Sequence, residues 1–119
     1  MTDTSVADDA ELADIVSLLD DDHVRDILAA TSADPLSASA LSDHCGVSPS
    51  AIYRRVDRLV EAGLLEEQTR PRSDGHHDTV YVASLERFEL VVQDGELTWT
   101  VECTDVDVAD ELTRLWRKF

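Results

Sequence analysis

Ala40-Leu41-Ser42-Asp43-His44-Cys45-Gly46-Val47-Ser48-Pro49-Ser50-Ala51-Ile52-Tyr53-Arg54-Arg55-Val56-Asp57-Arg58-Leu59-Val60-Glu61-Ala62-Gly63-Leu64-Leu65 decides how this chain folds. A short helix runs from Ser37 to about His44. Gly46 follows it, where a residue at ease with positive φ is wanted. Ser48 is a good N-cap, and Pro49 takes the first helical position that suits its fixed φ. The next helix runs to Ala62 and stops at Gly63. At about 100° per residue, Ile52, Val56, Leu59 and Val60 make its inward stripe. Ser50, Arg54, Asp57, Arg58 and Glu61 face away, with Ala51 and Tyr53 on the flanks. Two short helices around a glycine turn predict a helix-turn-helix.

Upstream, Leu12, Ile15, Val16 and Leu19 recur at helical spacing and predict a helix over 10–19. Asp20-Asp21-Asp22 interrupts it and supplies the N-cap of a second helix, with Val24, Ile27 and Leu28 inward. That helix ends in Thr31-Ser32-Ala33-Asp34-Pro35. Downstream, Leu64-Leu65 opens a strand, Arg70 to His77 reads as a polar turn, and Thr79-Val80-Tyr81-Val82 is β-rich. Strand, basic loop and strand describe a wing.

A second hairpin follows. Asp94-Gly95 signals a two-residue type I′ turn. It pairs Val92 with Leu97, Leu90 with Trp99 and Phe88 with Val101 on one apolar face. Gln93/Glu96, Val91/Thr98, Glu89/Thr100 and Arg87/Glu102 fall on the other. A one-residue slip would invert both faces. Ala109 to Phe119 predicts a last helix with Leu112, Leu115, Trp116 and Phe119 on one stripe. The expected fold class is α+β: a mostly α winged helix-turn-helix with an antiparallel wing, an extra C-terminal β-hairpin and a terminal helix. The 119 residues suit one domain, 1–119. Within it we expect a winged core over 22–84, a hairpin over 85–103 and a helical segment over 104–119.

Charge is the apparent obstacle. The net charge of −16 opposes a polyanion. Its distribution is uneven. Residues 1–47 hold eleven acids against Arg25, and 77–119 hold ten against four bases. Residues 48–76 balance five acids with Arg54, Arg55, Arg58, Arg70 and Arg72, so half of the ten bases fall in the middle quarter. Nine arginines to one lysine, abundant Asp and few aromatics resemble the acidic proteomes of halophilic archaea. In molar salt the Debye length is about 3 Å, and distant carboxylates hardly repel DNA. The alternative is an acidic mesophilic protein that binds a basic partner.

The quoted segment resembles the winged helix-turn-helix of ArsR-like regulators over residues 22–84. Those proteins share a helix, Gly-Val-Ser, a recognition helix with Arg near its middle, then Leu-x-x-x-Gly-Leu into a wing. The later hairpin and terminal helix look like small haloarchaeal winged-helix regulators. The resemblance implies a sequence-specific transcription regulator, with recognition helix 48–62 in the major groove and wing 69–79 on the backbone or minor groove. Metal-sensing members carry paired cysteines before the turn or Asp/His sets in the terminal helix. Here Cys45 takes a place usually held by leucine, and the terminal helix has no His, so no metal is expected.

Expected DNA-binding residues are Ser48, Ser50, Ala51, Tyr53, Arg54, Arg55 and Arg58 on the helix, with Arg70, Arg72, His76 and His77 on the wing. Arg54 is the first choice for a base contact; Ser48, Ser50, Tyr53 and Arg58 suit phosphates or base edges. Arg55 lies near the core edge, where an acid partner is the alternative. Arg54–Asp57 and Arg58–Glu61 ion pairs would instead make the helix face merely solvated. His76-His77-Asp78 as a metal site is a weaker alternative.

Helix 10–19 and the terminal helix are expected to form a homodimer through Leu12, Ile15, Leu19, Leu112, Leu115, Trp116 and Phe119, with packing inside one chain as the alternative. Cys45 and Cys103 read as small buried thiols; a redox role for Cys45 is the alternative. No nucleophile–base pair, phosphate loop or metalloenzyme motif appears, so catalysis and cofactors are not expected, nor is any small-molecule ligand identifiable. No apolar run reaches the ~18–20 residues of a bilayer span, and the acidic start is unlike a signal peptide. We therefore expect a cytoplasmic protein. The competing function is a winged helix that binds protein, kept open by Asp57 and Glu61.

Overall fold

The structure is a computed structural model that describes residues 9–104. Four helices come first: α1 (Asp9–Leu19), α2 (Asp22–Ala33), α3 (Ala38–Cys45) and α4 (Pro49–Glu61). Two antiparallel hairpins follow, β1 (Leu65–Pro71) with β2 (His77–Ala83), and β3 (Leu85–Gln93) with β4 (Glu96–Cys103). The result is the expected α+β winged helix-turn-helix. The helix expected at the C-terminus, with Leu112, Leu115, Trp116 and Phe119, lies outside the described residues.

Three oxygen caps set the helix starts. Asp21 accepts from the His23 N–H at 2.9 Å, Ser37 from the Ala40 N–H at 3.1 Å and Ser48 from the Ala51 N–H at 3.2 Å. Each satisfies an amide the first helical turn leaves free. Gly46 adopts φ 70° between α3 and α4. There the Gly46 and Val47 amides both donate to the Ser42 carbonyl, and the Ser42 hydroxyl donates to the Val47 carbonyl at 2.5 Å. This side-chain brace fixes how α4 leaves α3.

Val24 and Ile27 of α2, Leu41 of α3, and Ile52, Val56 and Leu59 of α4 meet in the core, with Leu64 closing it. Each fully buried aliphatic side chain contributes about 1.5–3 kcal/mol. Helix α1 sits differently from its sequence stripe. Ile15 and Leu18 are buried, Leu12 and Leu19 are half-buried, and Val16 is 46% exposed. The buried line runs between Ile15 and Leu18, so Leu18 replaces Val16 on the inner face.

The wing strands are longer than the sequence suggested. Arg70 and Pro71 pair with Asp78 and His77, and the polar turn shrinks to 72–76, closed by the Arg72 N–H on the His76 carbonyl at 2.8 Å. On the other edge of β2, Leu36 and Tyr81 exchange backbone bonds of 3.1 and 2.8 Å. This bridge had no sequence signal beyond the Pro35 break.

The second hairpin has all seven expected pairs, from Gln93 with Glu96 to Arg87 with Glu102. Its turn uses positive φ at Asp94 (55°) and Gly95 (80°). Among the described residues its apolar face is covered only at the root. Trp99 is buried and Phe88 lies against it with ring centroids 6.3 Å apart, while Leu90, Leu97 and Val92 are exposed, Val92 by 73%. The root is stitched to the end of α4: Ser84 and Leu85 amides donate to the Leu64 carbonyl, and the Ser84 hydroxyl donates to the Gly63 carbonyl at 3.1 Å. Cys103, expected to be buried, is exposed at the end of β4, and Cys45 is half-buried. Among the described residues no helix is long and apolar enough to cross a membrane.

Candidate nucleic-acid interface

Helix α4 is held from one side and offered from the other. Ile52, Val56 and Leu59 are wholly buried, whereas Ser50, Tyr53, Arg54, Asp57, Arg58 and Glu61 are exposed. Ser48, at the helix entrance, is exposed too, and Ala51 is half-buried on the flank. The exposed hydroxyls of Ser48 and Ser50 sit at a helix N-terminus, whose dipole suits a phosphate.

The three arginines of α4 have different surroundings. Arg54 and Arg58 are exposed and make no ion pair or hydrogen bond among the described residues. The local pairs Arg54–Asp57 and Arg58–Glu61 do not form. Arg58 borders a groove between α4 and α1 that also holds Glu11, Asp14 and Glu61, so its potential is partly cancelled. Arg54 has no place in that groove.

Arg55 turns inward. Its Nε donates to Asp21 Oδ2 at 2.9 Å, its Nη1 donates to the Ala51 carbonyl at 3.0 Å, and its side chain is 19% exposed. The acid partner named as the alternative for Arg55 is thus present. Partial burial pushes the Asp21 carboxyl up, but the His23 amide, the Arg55 guanidinium and the Val24 amide outweigh that and hold it below its ordinary value. One carboxylate thereby caps α2 and anchors α4.

On the wing Arg70, Arg72, His76 and His77 are all exposed. Three of the four have acid neighbours. Arg70 lies 3.7 Å from Asp78, Arg72 lies 3.3 Å from both Asp78 and Asp74, and His76 Nδ1 is 3.3 Å from Asp74. Exposed pairs of this kind contribute about 0–1 kcal/mol, so a stronger anion can displace them. Tyr81 of β2 joins the buried cluster that also holds Val56 and Leu59, and its phenol is pushed up by burial and then by Glu67, Tyr53 and Asp57.

Neither His76-His77-Asp78 nor the His44–Cys45 neighbours bring donors together as a cation site. Among the described residues one other set does: His23, Asp26 and Cys45. Sequence reading missed it because its members lie on two helices. The only visible trace was His23 and Asp26 at i, i+3 on one helical face.

Residues 19–68, from the end of α1 into β1, match the model of a family described as a helix-turn-helix domain. Among solved structures the chain is similar to an ArsR-like transcriptional regulator from Rhodococcus sp. RHA1, with 24% identity and a TM-score of 0.54, over 92% of this chain and 73% of that one. It is also similar to NolR from Sinorhizobium fredii, with 17% identity and a TM-score of 0.49, over 92% and 85% of the two chains. No curated protein sequence gives a significant match. The Rhodococcus likeness establishes a shared fold, and the family match establishes that 19–68 is a helix-turn-helix unit.

Proposed function

We propose that this chain is a sequence-specific, DNA-binding transcription regulator of the ArsR-like, haloarchaeal type. It acts as a homodimer in a high-salt cytoplasm, with recognition helix 48–62 in the major groove and wing 69–79 on the backbone or minor groove. One observation carries the reading. On a helix locked into the core from behind, Arg54 and Arg58 are exposed with no partner among the described residues. A guanidinium fork that meets guanine bidentately discriminates bases by about 1–3 kcal/mol, and Arg54 is the residue for that contact. Ser48, Ser50, Tyr53 and Arg58 hold the register through phosphates, and Ala51 lies close by. The acidic remainder is tolerated because a Debye length of about 3 Å in molar salt confines each carboxylate's influence to its neighbours.

A single recognition helix reads only a few base pairs, and two-fold pairing doubles the site. The dimer reading draws on helix 10–19, the segment 104–119 and the exposed apolar tip of the second hairpin at Leu90, Val92 and Leu97. Ile15 is already buried within one chain, which leaves Leu12, Leu19 and Val16 as the α1 side chains free to add contact. The reading of Cys45 as a thiol switch is less well supported. Burial, then Asp26 and Asp21, push its thiol up against the opposing pull of Arg55, which lowers the thiolate fraction that oxidants attack.

A chromatin occupancy map in cells grown at molar salt tests the function directly. Discrete peaks with paired half-sites are expected, and Arg54→Ala should erase them at unchanged protein level. Peaks that survive in an Arg54→Ala, Arg58→Ala double variant would overturn this assignment. Scattering in molar KCl should give twice the chain mass.

A further inference from the structure

We infer that His23, Asp26 and Cys45 form a binding site for one divalent transition-metal ion of the Zn2+ kind, clipping α2 to the last residue of α3. The three side chains supply an imidazole nitrogen, a carboxylate oxygen and a sulfur, all within 4.8 Å of one another. Zinc bonds of about 2.0–2.3 Å in a tetrahedral site put donors roughly 3.3–3.8 Å apart. Closing the remaining distance needs a shift on the order of 1 Å, which side-chain rotation supplies, since Asp26 is exposed. Three protein donors leave a fourth position to water or an outside ligand.

A second observation points the same way. His23 Nδ1 is buried and has no hydrogen-bond partner. A buried polar nitrogen left unsatisfied costs about 1–3 kcal/mol, and coordination would satisfy it. Burial pushes the Cys45 thiol up, and Asp26 and Asp21 add to that against the opposing pull of Arg55, so two carboxylates act on the sulfur beside the ligand set. The metal reverses that pressure on the thiol. On binding, the Cys45 S–H proton leaves to solvent; thiolate, carboxylate and neutral imidazole then balance the divalent charge.

The position gives the site a consequence. Cys45 immediately precedes the left-handed Gly46 that aims α4, and the His23 amide is held by the same Asp21 that anchors Arg55. A bound ion would stiffen both supports of α4 together. That consequence rests on the DNA-binding proposal; the site itself does not.

The test is titration of the reduced full-length chain with Co2+ in molar KCl and excess Mg2+, which saturates ordinary carboxylates. We expect one equivalent to produce tetrahedral d–d bands with thiolate-to-cobalt charge transfer, displaced by one equivalent of Zn2+. Cys45→Ser should abolish the charge-transfer band, and His23→Gln, at a half-buried position, should weaken Zn2+ binding at least tenfold. Cys103→Ser and His76→Gln/His77→Gln should leave both readouts unchanged. A charge-transfer band that persists in Cys45→Ser, or wild-type Zn2+ affinity in His23→Gln, would refute the site. So would saturation only at many equivalents without a thiolate band. DNA affinity measured separately with and without Zn2+ tests the coupling: a failed cation titration sinks the site, whereas cation binding without any effect on DNA sinks only the link to α4.

Discussion

Helix α4 and the β1–β2 wing hold five of the chain's ten basic residues, yet they use them in opposite ways. On α4, Arg55 is drawn into the frame by Asp21, while Arg54 and Arg58 stay unpaired among the described residues. On the wing, Arg70 and Arg72 are both paired, sharing Asp74 and Asp78. The helix is backed by the wholly buried Ile52, Val56 and Leu59, so it can hold its arginines at fixed spacing. The wing turn has no such backing. A rigid element with unpaired arginines suits readout, whereas an exposed turn with exchangeable ion pairs suits a phosphate that competes with its acids.

The largest effect should come from α4. Replacing both Arg54 and Arg58 with Ala removes a base contact and a backbone contact, and we expect a loss of roughly two orders of magnitude or more in specific affinity, taking about 1–3 kcal/mol for the base contact alone. Fluorescence anisotropy on the mapped site in molar KCl measures it. Equal losses from the wing arginines would break the contrast.

Arg55 sharpens it from within the same helix. Arg55→Ala and Asp21→Ala should each cost about 1–3 kcal/mol of stability, because the partner is left half-buried and unpaired and, for Asp21, a cap is lost as well. Denaturant unfolding measures this. Asp21 adds a pH signature. Its carboxyl is held below its ordinary value in the folded state, so its contribution is complete above the unfolded carboxylate range. It disappears as pH falls through the depressed folded value. Asp21→Asn should therefore lag wild type at neutral pH and converge with it in acid. A gap constant with pH would show that the ion pair carries none of the effect.

How much of this was legible beforehand follows from the range of the interactions involved. The caps at Ser37 and Ser48, the turn at Gly46 and the buried stripe of α4 are set by residues within one helical turn, and the sequence displayed them. The register of the second hairpin was equally local, since Asp94-Gly95 admits one pairing that keeps apolar residues together. What stayed hidden depends on distance along the chain. Asp21 reaches Arg55 across 34 positions, Leu36 bridges Tyr81, and His23 meets Cys45 only after α2 and α3 pack. The bare tip at Leu90, Val92 and Leu97 could not be foreseen either, because alternation says which face is apolar and not whether anything covers it.

Wing substitutions should have smaller consequences. Arg72→Ala removes one cation but also frees Asp74 and Asp78, so a several-fold drop in affinity is expected, equal for specific and random DNA, with a shallower salt dependence. A base-specific loss would instead place the wing in direct readout.

The smallest effect separates the two regions most cleanly. Asp78 lies within 3.7 Å of Arg70 and 3.3 Å of Arg72, and Asp78→Asn keeps its shape while deleting its charge. If the wing meets phosphate only by giving up these exposed pairs, each worth about 0–1 kcal/mol, that exchange becomes easier. Affinity for any duplex should then rise by up to about fivefold at low salt. The gain should vanish in molar KCl, where screening has already loosened the pairs. A gain that persists in molar salt and favours one sequence would mean that Asp78 itself faces the bases and selects against them, and the division between a reading helix and a yielding wing would have to be redrawn.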